Sequence, residues 1–314
     1  MHIAIFYCCA RLPVEGYGGT ERAVVGLVRG LAELGHRVTL IAPPGSSVPP
    51  ATLVPLPAKD KDIRTLNVMP FIPADADVLH SFSLLHNPPE IPHVWTLEGN
   101  LREGQTAPPN TIFVSADHAR RYGSTAFVYN GVDPADLVFR REKSDYDLFL
   151  GRLHQIKGYH WAIEGAKRTR RKLVVAGGWR PSMSRWVKFV GSVDGAVKAE
   201  WLAGARLLWM PALWDEPCAV VLLEALMSGT PILGTRRGCL PEIISPDVGV
   251  TGDSLDELVD LLPEAEKRAP DARHARALRY FSNRVMAEEY LRFYQHFLTT
   301  GSLAEGRLAS GSES

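Results

Sequence analysis

The sequence predicts an α/β protein of two domains, each built on a parallel sheet, and three observations carry that expectation. Strand-like and helix-like segments alternate along the chain in two successive series. The strand-like segments are nearly continuous runs of branched and aromatic residues, as strands covered on both faces must be. The length of 314 residues exceeds one comfortable core and fits two of roughly 150 residues each.

The first series opens with a buried strand, IAIFYC at 3–8, and a glycine-rich loop. TERAVVGLVRGLAELG at 20–35 follows as a helix with apolar residues 24, 27, 28, 31 and 34 on one stripe, Thr20 as its cap and Gly35 as its end. RVTLIAP at 37–43 completes a β-α-β unit, and residues 43–58, rich in proline and serine, read as a surface loop. Short strands are expected at DVLHSF (77–82), HVWTLEG (93–99), TIFVSA (111–116) and AFVYN (126–130), with little room for long helices between them. The polar stretch 134–145 breaks the pattern and reads as a linker. The second series gives strands at DLFLGR, KLVVAGG, VKFVGS, RLLWMP and PILGT, and helices at GYHWAIEGAK, AVKAEWLAGA and AVVLLEALMSG. After 254 the chain reads as helical, with a last helix over about 283–298, and the small, polar 300–314 read as a disordered tail. The domains are therefore expected at 1–140 and 145–280.

Composition excludes several classes. With 35 basic against 35 acidic residues, 46% apolar and 22% charged, the chain is an ordinary globular protein and no general nucleic-acid binder. No apolar run approaches the 18 or more residues of a spanning helix, and the opening HIAIFYCCA lacks a basic leader, so a cytoplasmic location is expected. Cys8, Cys9, Cys218 and Cys239 show no spacing for a disulfide framework or zinc ribbon.

Four constellations could carry chemistry. Gly16-Tyr17-Gly18-Gly19-Thr20-Glu21 lies between a strand and a helix, where backbone N–H groups and the helix dipole offer an anion site, although the glycines would equally serve a plain change of direction. A nicotinamide cofactor is disfavoured, because a dinucleotide fingerprint needs a small residue where Glu21 stands and an acidic one where the chain has Ala42-Pro43-Pro44. In the second, Gly151-Arg152-Leu153-His154-Gln155-Ile156-Lys157-Gly158, the two cations can converge on a diphosphate at the carboxyl end of a strand, though two basic loop residues are more often simply solvated. The third runs from Trp214 to Gly229. Pro217 suits the first turn of its helix and Gly229 the end, and Glu224 is the only charge in an apolar run, so it needs a partner, either a salt bridge or a ligand hydroxyl. Glu216 stands just before that helix, and the N–H groups of 218–220 are expected to face phosphate. The fourth is His80 with His86 and His93, where an ordinary satisfied side chain is the commoner outcome. Lys167–Lys172, with five basic residues in six, reads either as the cationic end of a helix or as a membrane-surface patch.

Together these segments resemble the retaining nucleotide-sugar glycosyltransferases of family 4, over about residues 1–297 and most strongly from 147 to 244. GRLHQIKG is similar to the family's GR-x4-KG loop, and EPCAVVLLEALMSGTPILGTRRGCLPEI to its paired glutamates, small-G-x-P-V turn and G-x-x-P-E element; GGTE at 18–21, SAD at 115–117 and NGVD at 130–133 are further landmarks. The resemblance implies the GT-B fold, two Rossmann-like domains with parallel sheets facing an interdomain cleft: an acceptor domain at 1–140, to which the last helix crosses back, and a donor domain at 145–280. It implies that Arg152 and Lys157 bind the donor diphosphate, that Glu216 lies against the donor sugar and that Glu224 holds the ribose. Gly151 and the backbone of Cys218, Ala219 and Val220 would contact the donor, Gly18 and Gly19 would close over the phosphates, and Gly191, Ser192 and Val193 would touch the base. Tyr17, Glu21, His80 and His86 are candidates for contact with acceptor or sugar. Here the chain departs from the family, which often has a second histidine where Phe82 stands and a histidine where Glu98 stands, and which has F-G where this chain has Cys218-Ala219.

The implied reaction is metal-independent, cofactor-free transfer of a hexose from a nucleoside diphosphate sugar, with uridine as the expected base, to a hydroxyl acceptor with retention at the anomeric carbon. Arg152, Lys157 and helix N–H groups would stabilise charge developing on the leaving diphosphate. Two other readings remain: an epimerase or hydrolase on the same fold, and a non-catalytic sugar-nucleotide binding protein.

Overall fold

The computed structural model describes residues 1–16, 18–57, 66–87, 89–267 and 269–309. The chain divides into two compact units. The first comprises Met1–Val14, Gly18–Gly131 and Asn283–Leu308; the second comprises Val132–Ser282 with the short segments Glu15–Tyr17 and Ala309–Ser314.

The first unit holds a six-stranded sheet ordered β3-β2-β1-β4-β5-β6, parallel throughout. Its strands are β1 (His2–Phe6), β2 (Arg37–Ala42), β3 (Thr52–Pro55), β4 (Val78–Ser81), β5 (His93–Leu97) and β6 (Thr111–Phe113). β1 is wholly buried because helices cover the face of Ile3 and Ile5 while the chain between β3 and β5 covers the face of Ala4 and Phe6, which is why its sequence shows no alternation. β3 falls inside the stretch read as a surface loop: Leu53 and Val54 pair with Leu40 and Ile41, so four residues found a sheet edge between prolines. AFVYN, read as a strand, is reduced to one bridge between Phe127 and Phe113.

Helix α1 (Gly19–Glu33) has Gly18 at its N-cap position, and no side chain caps it, so Thr20 lies inside the first turn instead of before it. Its end follows expectation. Gly35, at φ +81°, lets its own N–H reach Ala32 O at 2.9 Å and that of His36 reach Leu31 O at 3.0 Å, a Schellman closure. α1 packs against the last helix, α10 (Asn283–Thr300): a Cβ on Gly30 would stand 2.4 Å from Asn283 O, so only glycine permits that approach. Residues 301–309, read as part of a disordered tail, fold back: Gly306 N–H donates to Thr125 O at 2.9 Å, and Ala304 and Ala309 are buried, because small side chains fit against the surface they cover. Residues 310–314 lie outside the described ones.

The second unit repeats the plan with order β12-β11-β10-β7-β8-β9, again parallel. The strands are β7 (Asp147–Leu150), β8 (Leu173–Ala176), β9 (Val187–Gly191), β10 (Leu208–Met210), β11 (Ile232–Thr235) and β12 (Gly249–Gly252). Its helices are α3 (Tyr159–Thr169), α4 (Gly195–Gly204), α5 (Val220–Met227), α6 (Leu240–Ile243), α7 (Leu255–Asp260), α8 (Leu262–Glu266) and α9 (Pro270–Phe281), the short α2 (Ala116–Arg121) belonging to the first unit. The stretch read as a linker packs onto this unit: Lys143 Nζ donates to Ala203 O, Ser228 O and Thr230 Oγ1 at 2.9–3.0 Å, and Arg141 pairs with Asp271. Its polarity serves docking.

Buried charge also ties the sheet to its helices. Asp147, fully buried at the start of β7, accepts from Arg171 Nε and Nη2 at 2.8 Å and from Arg206 Nε at 3.0 Å. Arg168 pairs with Glu164 and Asp256, and Lys172 with Asp145. Three of the five cations in the run 167–172 are thus paired with carboxylates. Among the described residues no helix is long and apolar enough to cross a membrane.

Candidate active site

Strand β7 ends at Leu150, and the next eight residues form the loop from Gly151 to Gly158. His154 caps a short 3₁₀ turn at Gln155–Lys157 by accepting from the Ile156 N–H. Gly158 then turns the chain into α3 at φ +70°, where a Cβ would sit 1.7 Å from Pro211 O. No other residue allows that contact, which with the bond from Leu213 N–H to Ile156 O (2.7 Å) seats the loop on the segment after β10.

That segment carries Trp214 and Glu216. Lys157 Nζ lies 2.7 Å from Glu216 Oε2, Trp214 Nε1–H donates to the same oxygen at 2.7 Å, and the ammonium stands 4.8 Å from the Trp214 ring centroid. Lys157 and Glu216 side chains are only 14% and 6% exposed, so the pair interacts in a medium of low dielectric. Gly238, at φ +57°, presses on the other side, where a Cβ would meet the Glu216 backbone N and O at 2.3 Å, and Cys239 N–H donates to Glu216 O at 2.8 Å. Glu216 Oε1 makes no hydrogen bond within the described residues and is left to accept from elsewhere.

The helix after Glu216 starts later than Pro217 suggests. α5 is capped at Ala219 and begins at Val220, so Pro217 and Cys218 precede it, and Glu216 lies in the loop before the helix. Gly229, at φ +73°, ends it, with Thr230 N–H reaching Ala225 O at 2.8 Å. Cys218, Ala219 and Val220 are all buried. The partner Glu224 requires is Lys198 on α4, at 2.5 Å with both side chains under 10% exposed. Lys198 went unrecognised in the sequence, although a lone ammonium in AVKAEWLAGA poses the same problem of burial that Glu224 does. Glu224 Oε2 has no partner within the described residues.

Around these pairs, Gly151 follows β7, Arg152 is exposed in the same loop, and Gly191 ends β9 at φ +76°, followed by exposed Ser192 and half-buried Val193. One edge of the second sheet therefore gathers Gly151, Arg152, Lys157, Gly191, Glu216 and the start of α5, all beyond the carboxyl ends of parallel strands, where such sheets bind ligands.

The candidates of the first unit fare differently. His80 on β4 is fully buried, with Nδ1 hydrogen-bonded to the Tyr294 hydroxyl at 2.6 Å, Nε2 to the Thr96 hydroxyl at 2.8 Å, and its ring stacked on Phe82 at 4.4 Å. Burial, aided by His93, pushes its pKa down to about 3, so it stands as a neutral ring in the core. His86 is exposed in the loop after β4, and Tyr17 lies outside the described residues. Glu21, in the first turn of α1, accepts from the Tyr7 hydroxyl at 2.5 Å. A Cβ on Gly18 would stand 2.6 Å from Glu21 Oε2, so the helix places its own carboxylate by Gly18, where an anion was expected; Gly19 has open space around it.

Glu98, which follows β5, was noted only as a departure. Asn130 Nδ2 donates to its Oε2 at 2.9 Å, while Oε1 is shut off from water without a partner. Burial, with some repulsion from Glu21, raises its pKa to about 7 against the pull of Asn130. Among the described residues no group of three or more histidines, cysteines or acids is placed to hold a metal.

The class these features define is visible in comparison with known proteins. Residues 146–264, which contain both buried pairs, match the family Glycosyl transferases group 1. The fold is GT-B: the structure of AviGT4, a glycosyltransferase involved in avilamycin A biosynthesis, superposes with a TM-score of 0.78 at 28% identity, covering 96% of this chain and 99% of that one. The Anabaena protein HepE, solved with UDP-glucose, shares the fold at 14% identity with a TM-score of 0.62, covering 93% of this chain and 98% of that one. The MMP alpha-(1->4)-mannosyltransferase of Mycolicibacterium hassiacum is 34% identical over 104 residues, which are 30% of this chain and 25% of that protein. The chain spans 25% to 40% of the length of the curated relatives it matches.

Proposed function

We propose that this chain is a retaining glycosyltransferase of family 4, moving a hexose from a nucleoside diphosphate sugar, with UDP as the nucleotide, to a hydroxyl acceptor without a metal ion. The observation that carries this reading is the buried Lys157–Glu216 pair beyond the carboxyl end of β7. Nothing in the folding of the unit calls for a buried ammonium and carboxylate at a strand end, and replacing such a pair with apolar residues is often neutral or stabilising. Its use is to present a fixed cation to a developing anion.

As the glycosidic bond breaks, negative charge grows on the leaving diphosphate. Lys157 and Arg152, with the N–H groups that open α5, meet that charge already oriented, so they stabilise the transition state more than the ground state. Glu216 orients Lys157 through Oε2 and offers Oε1 to the sugar; Glu224, held by Lys198, offers Oε2 to the ribose hydroxyls. Retention through a covalent intermediate needs two carboxyls about 5 Å apart with one free to attack. Here each glutamate is neutralised by its own lysine, which supports front-face displacement with the departing phosphate taking the acceptor proton.

The test is to incubate the chain with UDP-glucose, with and without a panel of hydroxyl acceptors, and to follow product anomers by NMR. An α-linked product that needs acceptor supports the reading. Free glucose or an epimer from donor alone would establish the hydrolase or epimerase instead, and donor binding without turnover the non-catalytic protein.

A further inference from the structure

Trp179 is the only tryptophan among the described residues left widely open to solvent, at 70% exposure. Its place in the fold is tightly determined. Three glycine-bearing turns follow β7, β8 and β9 and are laced together: Gly151 N–H donates to Ala176 O at 3.0 Å, Gly177 N–H donates to Gly191 O at 2.8 Å, and Gly178 bridges to Gly191. A Cβ on Gly177 would lie 2.2 Å from Gly151 O, and one on Gly178 would lie 2.7 Å from Leu153 Cδ1, so glycine alone lets this turn rest on the segment that carries Arg152. Trp179 emerges one residue later, with the Arg152 loop on one side and Gly191 on the other. At Gly191 nothing stands within 4 Å of the place a Cβ would take, which leaves the backbone there bare to a flat group. Arg180, next in sequence, lies over the Tyr159 ring at 5.3 Å and is engaged there.

We propose that Trp179 is the stacking platform for the base of the nucleoside diphosphate. The inference rests on the proposed function and adds to it the residue that sets nucleotide affinity and breadth. An indole offers a broad apolar face with two torsions to order, and every base has a π-face to lay on it. Stacking is tolerant of base identity, so this platform supplies affinity for purine and pyrimidine alike, and discrimination between bases falls to the backbone around Gly191.

The experiment is calorimetric titration of wild type, Trp179→Ala and Trp179→Phe with UDP, GDP, ADP and, as a ligand without a base, inorganic pyrophosphate. Trp179→Ala is expected to weaken every nucleotide that binds by about tenfold or more, Trp179→Phe to recover most of that loss, and pyrophosphate affinity to stay unchanged. Nucleotide affinity that survives Trp179→Ala overturns the inference alone, as does an equal loss for pyrophosphate, which would mean that the turn had been displaced. A wild type that binds none of the three nucleotides overturns the proposed function and this inference with it.

Discussion

The two sheets share one topology and differ in what stands beyond their carboxyl ends. In the second unit, opposite charges are buried in contact, Lys157 with Glu216 and Lys198 with Glu224, and each carboxylate keeps one oxygen without a partner among the described residues. In the first, the candidate groups are engaged locally or shifted towards neutrality: His80 lies between Tyr294 and Thr96, Glu21 is bonded to Tyr7, and Glu98 is shifted towards its protonated form. Fixed charge is what stabilises a leaving diphosphate, so under the proposed function the second sheet is the one suited to the donor.

The comparison can be broken at several points. Arg152→Ala should lower kcat by a hundredfold to a thousandfold, on the order of losing one oriented donor, with thermal stability retained because the side chain is exposed; a rate within a few-fold of wild type would remove Arg152 from the site. Lys198→Ala should cost about 3–5 kcal/mol in urea unfolding, since Glu224 is left buried and unpaired, and Glu224→Gln should weaken nucleoside diphosphate binding. Unchanged affinity would make that pair purely structural.

The first unit offers a pH test. Burial favours the protonated form of Glu98, so between the usual carboxylate range and about pH 7 the folded chain holds a proton that the unfolded chain has lost, and this contribution falls as pH rises. Its full size is about 3 kcal/mol at most. His80 acts in the opposite sense, since its pKa near 3 makes the unfolded chain the better proton binder below the usual histidine range, so its contribution is lost on acidification. Glu98→Gln should therefore gain stability relative to wild type as pH rises to 7 and above, measured by denaturant melts across that window, and a constant difference would contradict the burial of an ionising carboxyl. The smallest effect is expected for His86→Ala, which should leave kcat/KM within about twofold, in keeping with an exposed loop histidine.

The second sheet was legible in the sequence because its strands are continuous apolar runs and its glycines mark real constraints: Gly158 and Gly229 stand where φ is positive, and Gly158 where a Cβ would strike Pro211. β3 was missed because its partners, not its own TLVP, make it a strand. The apolar run AVVLLEALMSG placed the start of α5 to within a residue, whereas Pro217, which looks like a first-turn residue, lies before the cap at Ala219. In the site, the demand for a partner at Glu224 could be read from a lone charge on an apolar helix, but Lys198 could not be paired with it without the fold. A satisfied side chain was the commoner expectation for His80, but its partners Thr96 and Tyr294, 16 and 214 residues away, could not be named without the fold.

The most direct measurement is a comparison of Glu216→Gln with wild type, taking nucleoside diphosphate affinity by calorimetry and transfer rate by product formation on the same preparations. The account predicts that the amide variant keeps its nucleotide affinity within a few-fold and loses transfer by at least a hundredfold, because Lys157 is no longer held and the sugar loses its carboxylate contact. Transfer at close to the wild-type rate would show that the buried pair is a structural brace and that the chemistry lies elsewhere.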